Sequence, residues 1–165
     1  MNQKSFTLHP ILPEQIGAVI SIAEECSLSP WSSNDYIDES KRNDSTLLRL
    51  EDETCETIGF LVGRRVLSAS SETHFDAEIY NIGVRQVFQR RGCGKILLEE
   101  FLKRCISEMV ETIWLDVRIS NRGAISFYKE FGFMEFTVRK GFYTDPGEDG
   151  MVMKLNIGKQ NLNLV

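Results

Sequence analysis

The run Gln89-Arg-Arg-Gly-Cys-Gly94, followed by Lys95, carries residue types that hold phosphate oxygens. Glycines let successive backbone N–H groups turn inward, a helix start adds positive potential, and Arg90, Arg91 and Lys95 add local charge. A tight turn with a solvated basic flank would use the same residues, so the run alone leaves both readings open. Spacing excludes two common alternatives. A Walker A loop requires Gly where Gln89 stands and Ser or Thr where Ile96 stands, and a dinucleotide fingerprint requires Gly where Leu97 stands. Metal chemistry has no framework, because Cys26, Cys55, Cys93 and Cys105 form no Cys-x-x-Cys pair and His9 and His74 stand alone. No metal is expected, and the thiols are expected to be reduced.

The elements that must position these groups follow from the hydrophobic pattern. Glu78-Ile-Tyr-Asn-Ile-Gly-Val84 reads as a strand entering the basic run. From Lys95, the residues Leu97, Leu98, Phe101, Leu102, Cys105 and Met109 recur at helical spacing, opposite Glu99, Glu100, Lys103 and Arg104. Thr112 to Val117 is then a strand, Asn121 to Phe131 a helix stopped by Gly132, and Phe133 to Lys140 a strand. A last strand is expected over Met151 to Ile157, with a polar tail at 158–165. Upstream lie a short strand near Phe6 to His9 and a helix opened by Pro13. A second helix is capped by Ser32, and strands follow over Thr46 to Leu50 and Ile58 to Val66. Leu67 to Phe75 is Ser-rich and reads as a loop. A length of 165 residues suits one domain, residues 1–165, of the α/β or α+β class: three layers around a mixed sheet.

Nineteen basic against 24 acidic side chains give a net charge of −5, which removes any general pull toward nucleic acid or anionic lipid. The apolar stretches fall well short of the ~20 residues that span a bilayer, and Met1 to Pro10 has no basic region followed by an apolar one. A cytoplasmic protein with no nucleic-acid or membrane partner is expected.

Gln89-x-x-Gly92-x-Gly94 after Asn81-Ile-Gly-Val84 resembles the acyl-CoA loop of the GNAT superfamily of N-acetyltransferases. The stretches Trp114-Leu-Asp-Val-Arg-Ile-Ser-Asn121 and Ala124-Ile-Ser-Phe-Tyr-Lys-Glu-Phe-Gly-Phe133 resemble the rest of its core. Pro30-Trp-Ser32, Arg118-x-Ser-Asn121, Tyr128 and Arg139-Lys-Gly-Phe-Tyr143 narrow the resemblance to the bacterial ribosomal-protein-alanine N-acetyltransferases, over most of residues 5 to 157. The chain departs from that pattern with Asp116 where the family usually has Glu, and with Gln86 where it often has Pro.

The resemblance implies a splayed sheet of about seven strands, with the pantetheine arm of acetyl-CoA between two parallel ones. It implies that Ile82, Gly83 and Val84 offer main-chain groups to the acyl-pantetheine, and that Gln89, Arg90, Arg91, Gly92, Cys93, Gly94 and Lys95 hold the pyrophosphate. Cys93 is expected to be an exposed thiol. Asp116 takes the place of the general base, with Glu78 in reserve, and Tyr128 protonates the leaving thiolate. Against those roles stand ordinary ones: Asp116 paired with Arg118 or capping a helix, Glu78 at an exposed edge, Tyr128 in the core. Asn121 is expected to bind pantetheine and cap a helix, and Trp31, Arg139 and Tyr143 to line the acceptor groove. The implied reaction moves acetyl from acetyl-CoA to a protein N-terminal α-amine, of the ribosomal-protein-alanine type. A small-molecule amine acetyltransferase and a catalytically inactive acyl-CoA-binding module are the alternatives.

Overall fold

A computed structural model describes residues 5–68 and 74–157; the expected polar tail and the middle of the Ser-rich loop lie outside them. In chain order the elements are β1 (Thr7–Pro10), α1 (Ile16–Glu25), α2 (Ser33–Ser40), β2 (Ser45–Glu51), β3 (Thr57–Leu67), β4 (Phe75–Val84), α3 (Cys93–Ser107), β5 (Val110–Arg118), α4 (Arg122–Glu130), β6 (Met134–Thr144) and β7 (Gly147–Asn156). The seven strands are hydrogen-bonded in the order β1-β2-β3-β4-β5-β7-β6. The sheet is mixed as expected: β4 and β5 are parallel, while β1–β2, β2–β3, β5–β7 and β6–β7 are antiparallel.

Local sequence explains the helix ends. Ser32 and Asp35 close a capping box at α2, in which each side chain accepts from the other's backbone N–H. Asn121 Oδ1 accepts from Ala124 N at 3.0 Å to start α4, and Gly132, with φ of 87°, follows its end. α3 differs from expectation at both ends: it takes in Cys93 and Gly94, and it stops at Ser107. Met109 therefore lies outside the helix, 79% exposed, in a left-handed turn with φ of 56°. The apolar spacing extends to Met109, past a helix stop at Ser107 that no glycine marks.

The chain divides into two compact units. The first comprises Met1–Arg64 and Tyr80–Arg104, the second Arg65–Ile79 and Cys105–Val165. In the first, Ile16, Val19, Ile22 and Ala23 of α1 are buried with Ile11, Tyr36, Phe60 and Val62. In the second, Ile113, Leu115 and Val117 of β5 are buried, as are Ile125 and Tyr128 of α4 and Met153 and Leu155 of β7.

The first unit also buries a charge. Glu39, whose side chain is 5% exposed, accepts from Arg64 Nε at 2.8 Å and from the same guanidinium's Nη2 and Ser45 Oγ. Removing one partner from such a pair strands the other in a poor solvent for charge. Arg64→Met is expected to lower the unfolding free energy by about 3 kcal/mol, read from urea denaturation, and the double variant Arg64→Met/Glu39→Gln to regain part of it. A single-variant loss within 0.5 kcal/mol, about the size of an ordinary surface substitution, would show that the pair is solvated.

Candidate active site

The glycine loop belongs to the first unit. Arg85 N donates to Ile58 O of β3 at 2.9 Å, so strand alternation turns the Val84 N–H, and that of Ile82 two residues earlier, away from β3. The β4–β5 register runs from Phe75–Val110 to Ile79–Leu115 and ends there, before either residue is reached. Gly83 is also a packing position. A Cβ there would lie 3.0 Å from the Phe60 ring and 3.2 Å from Ile22 and Leu28, so its missing side chain serves packing.

Past Val84 the chain is held at two points. Glu25 Oε1 accepts from Gln86 N at 2.5 Å while its Oε2 meets Arg85 Nη1 at 3.2 Å, and Gln89 Nε2 donates to Val84 O at 2.9 Å. Gln89 is thus an anchor of the loop. Glu25 was not singled out from the sequence, although an acid in the last turn of a helix opposes the helix dipole and so asks for a partner elsewhere.

Arg90 (φ 59°) and Gly92 (φ 84°) are both left-handed, and a Cβ built on Gly92 would meet nothing within 4 Å. Their alternation with neighbouring residues turns backbone N–H groups to one side, which is how short loops form anion nests. The first bond of α3 runs from Ile96 N to Gly92 O at 3.0 Å, so the N–H groups of Cys93, Gly94 and Lys95 precede it at the positive end of the helix. Arg90, Arg91 and Lys95 are exposed around them. Cys93 corrects an expectation: it is 1% exposed, because as the first residue of α3 it points inward, and burial pushes its thiol pKa up. Trp31, for which the groove and packing stood as equal expectations, has its ring centroid 5.2 Å from that of Tyr36 and 5.7 Å from that of Tyr80.

Glu78, Asp116 and Tyr128 belong to the second unit. Thr112, Trp114, Asp116 and Arg118 share the half-exposed face of β5, with Ile113, Leu115 and Val117 on the buried one. Glu78 is aligned with Trp114 and lies on a strand flanked on both sides, so it is half-buried and not at an edge. Asp116 does not pair with Arg118 and caps no helix. Its Oδ2 accepts from Arg139 Nη1 at 3.0 Å, and its Oδ1 is buried with no hydrogen-bond partner among the described residues. Burial raises the Asp116 pKa above the ordinary carboxylate value and the Glu78 charge adds to that rise, while Arg139 opposes it.

Arg118 is occupied instead by the β6–β7 hairpin. Its guanidinium donates to Asp145 O at 2.8 Å and Pro146 O at 2.9 Å, meets Glu148 at 3.3 Å, and lies 4.3 Å from the Tyr143 ring centroid. Burial and the nearby Asp116 carboxylate push the Tyr143 pKa up to about 12. Tyr128, 6% exposed, packs on Phe133 at 5.6 Å, and burial drives its pKa far above that of a free phenol. It is protonated throughout the working pH range.

Among the described residues no group of His, Cys, Asp or Glu is arranged to hold a metal ion, and no helix is long and apolar enough to cross a membrane.

The acetyltransferase (GNAT) family model matches residues 16–133. The chain is 32% identical over 154 residues to the [ribosomal protein bS18]-alanine N-acetyltransferase of Salmonella typhimurium, covering 92% of this chain and 97% of that one. It is 30% identical over 153 residues to the Escherichia coli K12 protein of the same name, with the same coverage. The crystal structure of the ribosomal-protein-S18-alanine N-acetyltransferase from Escherichia coli superposes with a TM-score of 0.79 at 29% identity, covering 98% of this chain and 99% of that one.

Proposed function

Because the chain belongs to the acetyltransferase (GNAT) family and is an acyl-CoA-dependent N-acetyltransferase, we propose that its acceptor is the N-terminal α-amine of a protein. The alanine-directed names of its relatives suggest a ribosomal protein. The observation that carries the reading is Asp116, half-buried with one oxygen unpaired. An α-amine with a pKa near 8 needs only one such base to become nucleophilic at cellular pH, whereas a lysine near 10.4 is far harder to deprotonate. The matched stretch, residues 16–133, draws on both units, which supports reading them as parts of one acetyltransferase domain. The free thiols and acidic net charge suit a cytoplasmic enzyme without a nucleic-acid partner.

The loop residues fit acetyl-CoA: Gly92 leaves open space where a Cβ would sit, and the α3 N–H groups and three cations suit a pyrophosphate. When bound, acetyl-CoA supplies an activated acetyl group. Ile82 and Val84 bind the pantetheine through their main chain, and the Val84 N–H polarises the thioester carbonyl, a donor worth about 3 to 4 kcal/mol in other oxyanion sites. Asp116 receives the ammonium proton through a water, with Glu78 as the reserve. Tyr128 gives its proton to the departing sulfur and regains one as the new amide nitrogen loses its second proton. Asn121 contributes its amide to the pantetheine, and Tyr143 and Trp31 contact the peptide.

The test is acetyl-CoA turnover across a panel of acceptors. Peptides beginning with Ala or Ser are expected to release CoA at least tenfold faster than diamines or the same peptides with blocked N-termini. Turnover confined to diamines or amino acids would make this a small-amine enzyme. Acetyl-CoA binding without turnover on any acceptor would make it a binding module.

A further inference from the structure

The Asp116–Arg139 pair looks at first like a surface ion pair, since the two side chains are 27% and 54% exposed. Such pairs are usually worth little, because two mobile side chains must be held in one geometry. Here the geometry is already held. β6 and β7 slip register between Arg139 and Tyr143, and the extra residues fold over their partner strand. Gly141, at φ of 60°, donates its N–H to Asp149 Oδ1, and Lys140 pairs with Asp149 Oδ2, both at 2.8 Å. The bulge places the Phe142 ring where a Cβ on Gly150 would come within 3.1 Å of it. Gly150 is the register partner of both Arg118 and Arg139. The Arg139 guanidinium then lies 4.9 Å from the Phe142 ring centroid and 3.0 Å from Asp116 Oδ2.

Building on the acetyl-transfer reading above, we propose that Arg139 is a positioning residue: it fixes Asp116 through Oδ2 and leaves the buried Oδ1 as the atom that receives the acceptor's proton. A buried oxygen without a partner normally takes a water or a ligand group. In the step, the ammonium gives a proton to a bridging water and the water gives one to Oδ1, leaving a neutral amine and a neutral carboxyl. Around Asp116 the other charged or titratable groups are Glu78 on β4 and Tyr143 on β6. Tyr143 in turn acts on Tyr128 of α4. Arg118, on its own strand, is occupied by the hairpin and Glu148, and Lys154 of β7 sits over the Phe136 ring at 4.2 Å. Arg139 is therefore the cation hydrogen-bonded to the carboxylate, and its charge offsets the rise caused by burial and by Glu78.

The experiment follows the Asp116 side-chain carboxyl by carbon NMR as pH is varied, in the wild type, Arg139→Met and Arg139→Lys, alongside the pH profile of kcat/KM for an Ala-starting peptide. In Arg139→Met the Asp116 midpoint is expected to rise by about one pH unit, a tenfold change in its ionisation. The acid limb of kcat/KM should move by the same amount, with the KM for acetyl-CoA unchanged. Arg139→Lys should return both toward the wild type. An unmoved Asp116 midpoint in Arg139→Met, or an activity loss equal at every pH, overturns the proposal. If no peptide is acetylated by the wild type, the acceptor reading fails while the carboxyl titration still decides the role of Arg139.

Discussion

Asp116→Asn is expected to lose about 10² to 10⁴ in kcat at neutral pH, some 3 to 5 kcal/mol of barrier, because an amide cannot take the ammonium proton. Part of the loss should return in alkaline buffer, where the α-amine is neutral without help. Unfolding is not expected to explain the defect. A carboxyl whose pKa is raised in the folded state contributes stability that is present below the unfolded value and lost as pH rises through the folded one. The ionised Asp116 is thus a burden on the fold at neutral pH, and its replacement by Asn should leave the melting temperature level or higher. Asp116→Glu should stay active, as it restores the residue common in the family. Should Glu78→Gln show the large, pH-rescued defect while Asp116→Asn stays active, the base is Glu78.

Tyr128→Phe is expected to lower kcat by about 10² or more, with little change in the KM for acetyl-CoA. The substitution keeps the ring on Phe133 and Phe127 and deletes one hydroxyl. A phenol held so far above its ordinary pKa is a weak acid, but a thiolate forming in the same dry surroundings is raised by the same desolvation. A loss of tenfold or less would leave Tyr128 as packing, with water as the acid. No alkaline limb in the wild-type profile should belong to Tyr128.

Much of the fold was legible because its signals are local. The alternation in Glu78 to Val84, the 3.6-residue spacing from Leu97 to Cys105, and the caps Ser32 and Asn121 each act within a few residues. The glycine loop was legible for the same reason, since a strand-to-helix turn needs only its own glycines. The strand ends were less so: β4 begins at Phe75 and β6 runs on to Thr144, because a strand extends as far as a neighbour pairs with it.

The sequence by itself determined the family pattern and the glycine loop, and its resemblance to the family singled out Asp116, Glu78 and Tyr128 as candidates for moving protons. Tertiary structure alone decided how those groups are disposed. Arg139 and Asp116 are 23 residues apart in the chain, and the pairing of both strands with β7, Asp116 opposite Val152 and Arg139 opposite Gly150, brings their charges to 3.0 Å. The nearer candidate, Arg118, went to a hairpin tip. Glu25 reached the loop from the end of a helix 61 residues before Gln86. Cys93 turned inward with the first turn of α3. Propensity and motif spacing act along the chain, whereas an ion pair or a pKa depends on distance and burial in space, and those exist only once the strands have paired.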